Sequence, residues 1–561
     1  MKRFYSISQL LLCCFINLIA QNISSYEAEN IAIRIFQMHN LDTNIKDIKP
    51  LNTSDVATLS DDSDSNPYLY IIETLDNDWL VLAADSVIPP ILAMGSGGFP
   101  SVSDMPPAMR NLFESYIDEI KYIIDTLGIT EKHPEWDLLR NPDISAIDNF
   151  DYDEGDCLLN DPIRGENFWR QDKNNEADNN ENCNIYDTNK VYNKYCPIFT
   201  QSDSQPKKPK AGCGAIVMGQ IMWYWQWPTI AVVEGIDNNN LIREYDWNNM
   251  PAEITNASPT YSVDMIAHIL RDAGISVDME YTVNGSCASQ YLVPNALRNV
   301  FGYNSDNVLD RRPHIRNWSE SLKANLQQGY PILYGGDRRL SDGSLRGHLF
   351  VIDGYTKSNA FHMNYGQDEN ANGYFMLDEI NDEACNKYPI NQSAILNVYP
   401  NYPSCNPIEI SQDEVLDTIF VSQNGGGITI GNTVIEHYQE GRIYSGEYVR
   451  LTNGFHAKAG SNLHVAIKDV PCNQTISYLP KKTTDTSHEI QWSDTWNVLS
   501  HGWDPEGGDD MYNGYTTIYQ LGEDTLINDV RYRKLTGYFS LASPSMQEYV
   551  AALRFTDDKK V

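Results

Sequence analysis

The chain has 561 residues, too many for one domain, and its 41% hydrophobic content with 11% aromatics suits several packed cores rather than a disordered segment. A formal net charge of −35 argues against nucleic-acid binding, because one polyanion repels another at long range. Neither quantity names a substrate.

The N-terminus reads MKRFYSISQLLLCCFINLIAQN, with basic Lys2 and Arg3, an apolar run from Leu10 to Ile19 and small Ala20 at the end. This pattern predicts a secretory signal over residues 1–20, too short and wrongly flanked for a membrane span. No later stretch is apolar for the ~18 residues a span needs, so the expectation is a secreted, extracellular or cell-surface protein. Ten cysteines are scattered without C-x-x-C pairs, a spacing unlike the common zinc modules.

Ser24 and Glu27 form a capping box ahead of apolar Ala28, Ile31, Ala32, Ile35 and Phe36, which predicts a helix. Strands follow, broken by a polar turn at Asp76, Asn77 and Asp78. A second amphipathic helix carries Met109, Leu112, Phe113, Tyr116, Ile117, Ile120 and Ile124 on one stripe and closes at Gly128. A polar, acidic stretch around DNFDYDEGDC then reads as an exposed linker, open to proteolysis. From about 160 to 400 helical and strand patterns alternate in a Tyr- and Trp-rich principal domain. Beyond Pro407, short alternating strands between Gly and Asn turns predict a small β unit, and a second β-leaning segment runs from about 473 to the end, where YVAALRFTDDKKV reads as a strand cut short.

One stretch, KAGCGAIVMGQIMWYWQWP, sets Cys213 between Gly212 and Gly214 at the start of an apolar helical run that stops at Pro228. A helix N-terminus stabilises a thiolate, although a buried structural cysteine would suit the same stretch. A nucleophilic thiolate needs a base, and the base an orienting group. RGHLFVIDGYTKSNAFHMNYG supplies candidates in His348 and Asn364 on two short strands, with His362 competing for the histidine role.

These stretches resemble the streptopain family of secreted bacterial papain-like cysteine peptidases. AGCGAIVMGQIMWYWQWP resembles the family's nucleophile segment, GHLFVIDGY with FHMNYG its histidine and asparagine segment, and FWRQD its upstream glutamine element. YDWNNMP, DAGISVDMEY and ALRNVFGYN fall between them in the family's order. The resemblance implies an α+β, papain-like two-subdomain fold: a helical part with the nucleophile helix and an antiparallel β part with His and Asn. An α+β inhibitory propeptide would precede it and small all-β domains would follow. The implied organisation is a signal over 1–20, propeptide over 21–150, peptidase over 151–400, a small β domain over 401–472 and a C-terminal β segment over 473–561.

Carried over residue by residue, the resemblance makes Cys213 the nucleophile, His348 the general base and acid, Gln171 the side-chain donor of the oxyanion hole, and Asn364 the residue that orients the imidazole. Tyr365 stands where the family has tryptophan and would shield that contact. Ser286, Ala288 and Gly347 are candidates to line the substrate cleft, with a hydrophobic residue expected before the scissile bond. No cofactor is required. DENANGYFMLDE also fits a calcium-loop pattern through Asp368, Asn370, Asn372 and Glu379, although its flanks read as strands rather than helices. The expected activity is that of a secreted cysteine endopeptidase acting on proteins, held as a zymogen by its own propeptide, with the activation cut between 145 and 162. The C-terminal β units are expected to bind a surface or sorting machinery. The alternative is an inactive surface-binding or adhesion protein that retains the scaffold.

Overall fold

In the computed structural model the described residues are 22–52, 67–101, 105–140, 157–161, 165–171, 192–197, 209–234, 240–282, 285–311, 318–339, 345–356, 359–367, 371–377, 391–411, 415–416 and 420–472, followed by the strand backbones of 495–501, 514–527, 530–539 and 547–553. The signal reading, the acidic linker and most of the expected activation region lie outside them.

Helix α1 (Ser25–Met38) starts where the capping box predicts, with Glu27 N–H donating to Ser24 Oγ at 3.2 Å. Its buried stripe is the predicted one, from Ala28 to Phe36. It covers an antiparallel meander of β1 (Ile45–Leu51), β2 (Leu69–Thr74), β3 (Trp79–Ala83) and β4 (Ile91–Gly95). Every residue of β2 and β3 is buried, as in strands covered on both faces. Helix α2 (Pro107–Lys121) begins on a proline, buries the predicted stripe from Met109 to Ile120 and runs into a wider turn, where Ile124 is half-buried and which Gly128 ends in the left-handed region.

The N-terminal unit does not keep a sheet of its own. Strand β4 pairs with a strand of the principal domain, Ala93 opposite Phe375 and Met94 opposite Tyr374. With β5 (Leu309–Asp310), β6 (Ile332–Arg339), β7 (Leu345–Tyr355), β8 (Ala360–Asn364), β9 (Gly373–Met376) and β10 (Asn391–Ile395), this makes one ten-stranded sheet in the order β1-β2-β3-β4-β9-β8-β7-β6-β10-β5. Two edge strands satisfy each other's unpaired backbone groups at the join. The approach is close enough that a Cβ on Gly373 would sit 2.7 Å from the Met94 carbonyl and 2.8 Å from the Trp79 ring. Aromatic rings seal it, with Trp79 at 5.7 Å and Phe113 at 6.5 Å from Phe375.

Strand alternation divides the interior in two. Phe350 and Ile352 of β7 join the core that contains α1, α2 and the meander, whereas Leu349 and Val351 join the core around helices α3 (Cys213–Trp225) and α4 (Thr260–Ser276). Ten of the thirteen residues of α3 are buried, so this helix has almost no polar face to present.

The small β unit is a parallel coil rather than a set of hairpins. Strands β11 (Ile408–Ser411), β12 (Val415–Leu416) and β13 (Phe420–Asn424) form one rung. The next rung is β14 (Ile428–Gly431), β15 (Val434–Ile435) and β16 (Glu440–Ser445), and the third is β17 (Val449–Leu451), β18 (His456–Ala457) and β19 (Asn462–Ile467). Each strand pairs in parallel with its counterpart one rung on, Ile408 beside Ile428 beside Val449. Fully buried Ile428, Ile430 and Ile443 fill the bore, and a Cys405–Cys472 disulfide joins entry to exit. The coil docks on a hairpin of the principal domain: Ile230 and Ile242 pack on Tyr444 and Val470, while Glu244 accepts from Arg442, Tyr444 and Lys468.

Residues 482–561 form a separate unit, an antiparallel sheet of β20 (Thr495–His501), β21 (Gly514–Ile527), β22 (Val530–Phe539) and β23 (Gln547–Leu553), paired in chain order.

Candidate active site

Gly212 has φ of +89°, and a Cβ there would lie 2.6 Å from the Met279 side chain. This glycine lets the chain turn so that Cys213 becomes the first residue of α3, where helix N–H groups are unpaired. The thiol is half-buried. Burial pushes it up, but a hydrogen bond and charge interaction with His348, joined by the N–H groups of Leu349 and Gly214, bring it below the ordinary thiol value. For His348 burial favours the neutral ring, yet the interactions with Cys213 and the Tyr365 carbonyl raise it above the ordinary imidazole value, against the opposing charge of Lys210. Each group is therefore shifted toward its charged form by the other.

The ring of His348 is held through Nε2, 2.8 Å from the backbone carbonyl of Tyr365. A carbonyl only accepts, so Nε2 carries the proton and Nδ1 is the nitrogen left for the thiol. Asn364 was expected in this orienting role and is not the group that makes the contact. Its Oδ1 accepts from Gln220 Nε2 at 2.9 Å and Gly366 N–H at 3.1 Å, and its Nδ2 donates to the Asn167 carbonyl at 2.8 Å. The physical reason is the position of the backbone: with the next residue's carbonyl already on the ring, the amide is free to fasten the turn that aims it. Gln220, on α3, also donates to the Trp169 carbonyl at 2.9 Å. Sequence reasoning passed over Gln220 and Asn167; the signal for Gln220 was a polar side chain inside an otherwise apolar helix run.

Gln171 enters the same network through its backbone, donating to the Gly366 carbonyl at 2.8 Å. Tyr365 is fully buried, with its ring 6.4 Å from that of His348 and 4.9 Å from Phe350. Ser286 stands against Gly212 and donates to the Lys210 carbonyl at 2.6 Å, while Ala288 is partly buried in the helical core and Gly347 lies exposed on β7 just before His348. His362, the competing histidine, contacts Asp353 and Cys157, and the histidine that interacts with Cys213 is His348.

Of the calcium-loop residues, Asp368, Asn370 and Glu379 lie outside the described residues, and the middle of the pattern is strand β9, paired on both sides. Asn372 is committed to the Tyr365 N–H at 3.0 Å.

Residues 186–375 match the Peptidase C10 family, and residues 20–120 match the Spi protease inhibitor family. A thiol protease/hemagglutinin, PrtT, of Porphyromonas gingivalis is 24% identical over 431 residues, 71% of this chain and 44% of that protein. Streptopain of Streptococcus pyogenes is 30% identical over 191 residues, 31% of this chain and 47% of that protein. The chain thus spans less than half the length of these curated relatives. Among solved structures, a prointerpain A fragment of Prevotella intermedia covers 63% of this chain and 98% of its own at 19% identity and a TM-score of 0.41, and active interpain A covers 44% and 95% at 23% and 0.33. Among the described residues no helix is long and apolar enough to cross a membrane. With both parts matched in their expected order, the chain carries a region of the C10, or streptopain, peptidase type behind a Spi-type inhibitor unit.

Proposed function

We propose that the chain is a secreted cysteine endopeptidase made as a zymogen. The observation that carries this reading is the coupling of Cys213 and His348 at the start of a buried helix, with each ionisation shifted toward a thiolate–imidazolium pair. The Cys213 thiolate attacks the scissile carbonyl carbon, and the carbonyl π electrons move to oxygen. The Cys213 backbone N–H and the Gln171 side-chain amide stabilise that oxyanion; losing one such donor typically costs ~10²–10³ in rate. The tetrahedral centre collapses as His348 gives its Nδ1 proton to the departing amine, leaving a thioester on Cys213. Water then loses a proton to His348, attacks the thioester and releases the acid with the thiolate restored. Thiolate and imidazole supply nucleophile and proton transfer between them, so no cofactor enters the reaction.

Asn364 acts here as a positioning residue, fixing the turn that presents the Tyr365 carbonyl to His348. The N-terminal unit holds the zymogen through the shared sheet and through α2, whose Ala108, Asn111 and Leu112 lie over Tyr334, Phe350, Met363 and Tyr365. Its grip falls on the wall behind the imidazole. Ser286 and Gly347 flank the cleft, and proteins or peptides are the substrates. The organisation 21–150 propeptide, 151–400 peptidase and 401–472 coil is retained as part of this reading.

Intact mass over time, in reducing buffer, tests it with the wild-type chain and Cys213→Ala. The expected outcome is loss of the N-terminal unit by the wild type alone, with casein hydrolysis appearing in step. A wild type that stays silent on casein after an added protease has removed residues up to the linker, while its near-ultraviolet circular dichroism shows a folded domain, sinks the reading.

A further inference from the structure

Cys157, Asp353, His362, Tyr374 and Glu166 gather at a point the proposed reaction does not use. Cys157 Sγ, a ring nitrogen of His362 and a carboxylate oxygen of Asp353 all lie within 4.8 Å of one another. Asp353 is 1% exposed, and its Oδ1 is 2.6 Å from His362 Nδ1. The pairing of β7 with β8 shifts register between Ile352 and Gly354, so Asp353 is the extra residue of a bulge, a device that re-aims a side chain. The segment after the linker is laid across this residue: Leu158 N–H donates to the Asp353 carbonyl at 2.9 Å and Leu159 N–H to Oδ2 at 3.0 Å. Cys157 Sγ is brought to 3.2 Å from the Tyr374 hydroxyl and within interaction range of His362. The Glu166 carboxyl lies within electrostatic range of both His362 and Asp353.

A buried ion pair accounts for His362 and Asp353, but not for a thiol and a second carboxyl converging on the same pair. Sulfur, imidazole nitrogen and carboxylate oxygen together are a donor set that zinc takes, whereas calcium and magnesium take oxygen alone. We propose that Cys157, His362 and Asp353 bind one zinc ion, with Glu166 or water in the fourth position. Ligand atoms around a tetrahedral zinc stand roughly 3.5 Å apart, a closure within the range of a rotamer change at half-buried Cys157. The ion takes the place of the proton now shared by His362 and Asp353. It fastens the segment after the linker to β7 and β8, the strands that also carry His348 and Asn364, without touching Cys213. Its ligands come from two distant parts of the chain, Cys157 on one and the hairpin of Asp353 and His362 on the other, which is why cysteine spacing alone shows nothing of it.

The test uses the full chain carrying Cys213→Ala, which removes the active-site thiol and any self-cleavage, so its outcome is independent of the peptidase reading. Cobalt is titrated in, followed by zinc. The expected result is a thiolate-to-cobalt absorption band saturating at one ion per chain and displaced by zinc. Cys157→Ser should abolish the band and weaken zinc binding, read by chelator competition, by about tenfold or more. Absence of the band, or a band unchanged by Cys157→Ser, overturns the proposal. A second readout needs no substitution at the site: zinc should protect Cys157 from iodoacetamide, followed by peptide mass, and equal labelling with and without zinc also overturns it.

Discussion

Burial alone would push the Cys213 thiol up and hold the His348 imidazole down, leaving both neutral; their mutual hydrogen bond and charge interaction reverse both shifts. The pair therefore titrates as a unit, and the reactive form exists in the window between its two steps. The acid limb of kcat/KM should fall below the ordinary thiol value of ~8.5, and the alkaline limb above the ordinary imidazole value of ~6.5. The rate of Cys213 alkylation against pH reads the same thiolate directly. Alkylation that follows a single ordinary thiol titration would contradict the coupling. Cys213 was legible as a candidate, because a glycine-flanked cysteine before an apolar helix carries a local signal, whereas the local pattern left His348 and His362 in competition and only the family resemblance chose between them. The group that holds the imidazole was not legible, since any residue has a backbone carbonyl. What aims it, Asn364 through Gln220 and Asn167, is set by three segments far apart in sequence.

Helix α3 shows what a single element contributes to such a site. Its start depends on Gly212, whose φ of +89° an L side chain rarely adopts and whose missing Cβ makes room for Met279. Gly212→Ala is expected to cost about 1–3 kcal/mol of stability and to lower kcat more than it raises KM, because Cys213 moves with the helix end. Thermal melting together with steady-state kinetics checks this; unchanged kcat would mean that the helix start adapts without shifting the thiol. Helix α1 and helix α2 were readable from their apolar stripes and caps. The parallel coil was read only as short strands, because alternation inside a strand is the same whether its partner is a hairpin neighbour or the next rung. A repeat did mark it: ITIGNT from Ile428 and VRLTNG from Val449 occupy equivalent positions in successive rungs.

Across the whole molecule, the largest departure from a sequence-based picture is the single sheet shared by the inhibitor unit and the peptidase domain. The pairing of β4 with β9 joins residues some 280 positions apart, and nothing local in either strand announces it. The interface predicts how the zymogen responds to a single truncation. Phe113 is fully buried and belongs to the inhibitor unit, with its ring edge-on to Phe375 of the peptidase domain. Phe113→Ala should destabilise the zymogen by about 3–5 kcal/mol and speed release of the inhibitor unit, read by thermal melting and by the time course of maturation. An unchanged melting temperature and an unchanged time course would show that the join does not rest on Phe113.

The Cys405–Cys472 bond spans 67 positions and encloses all three rungs of the coil. A cut in any turn between those cysteines leaves the two fragments on one covalent string, with the catalytic half still attached to everything downstream. A nick made there by any protease stays silent until a reductant turns it into a separation.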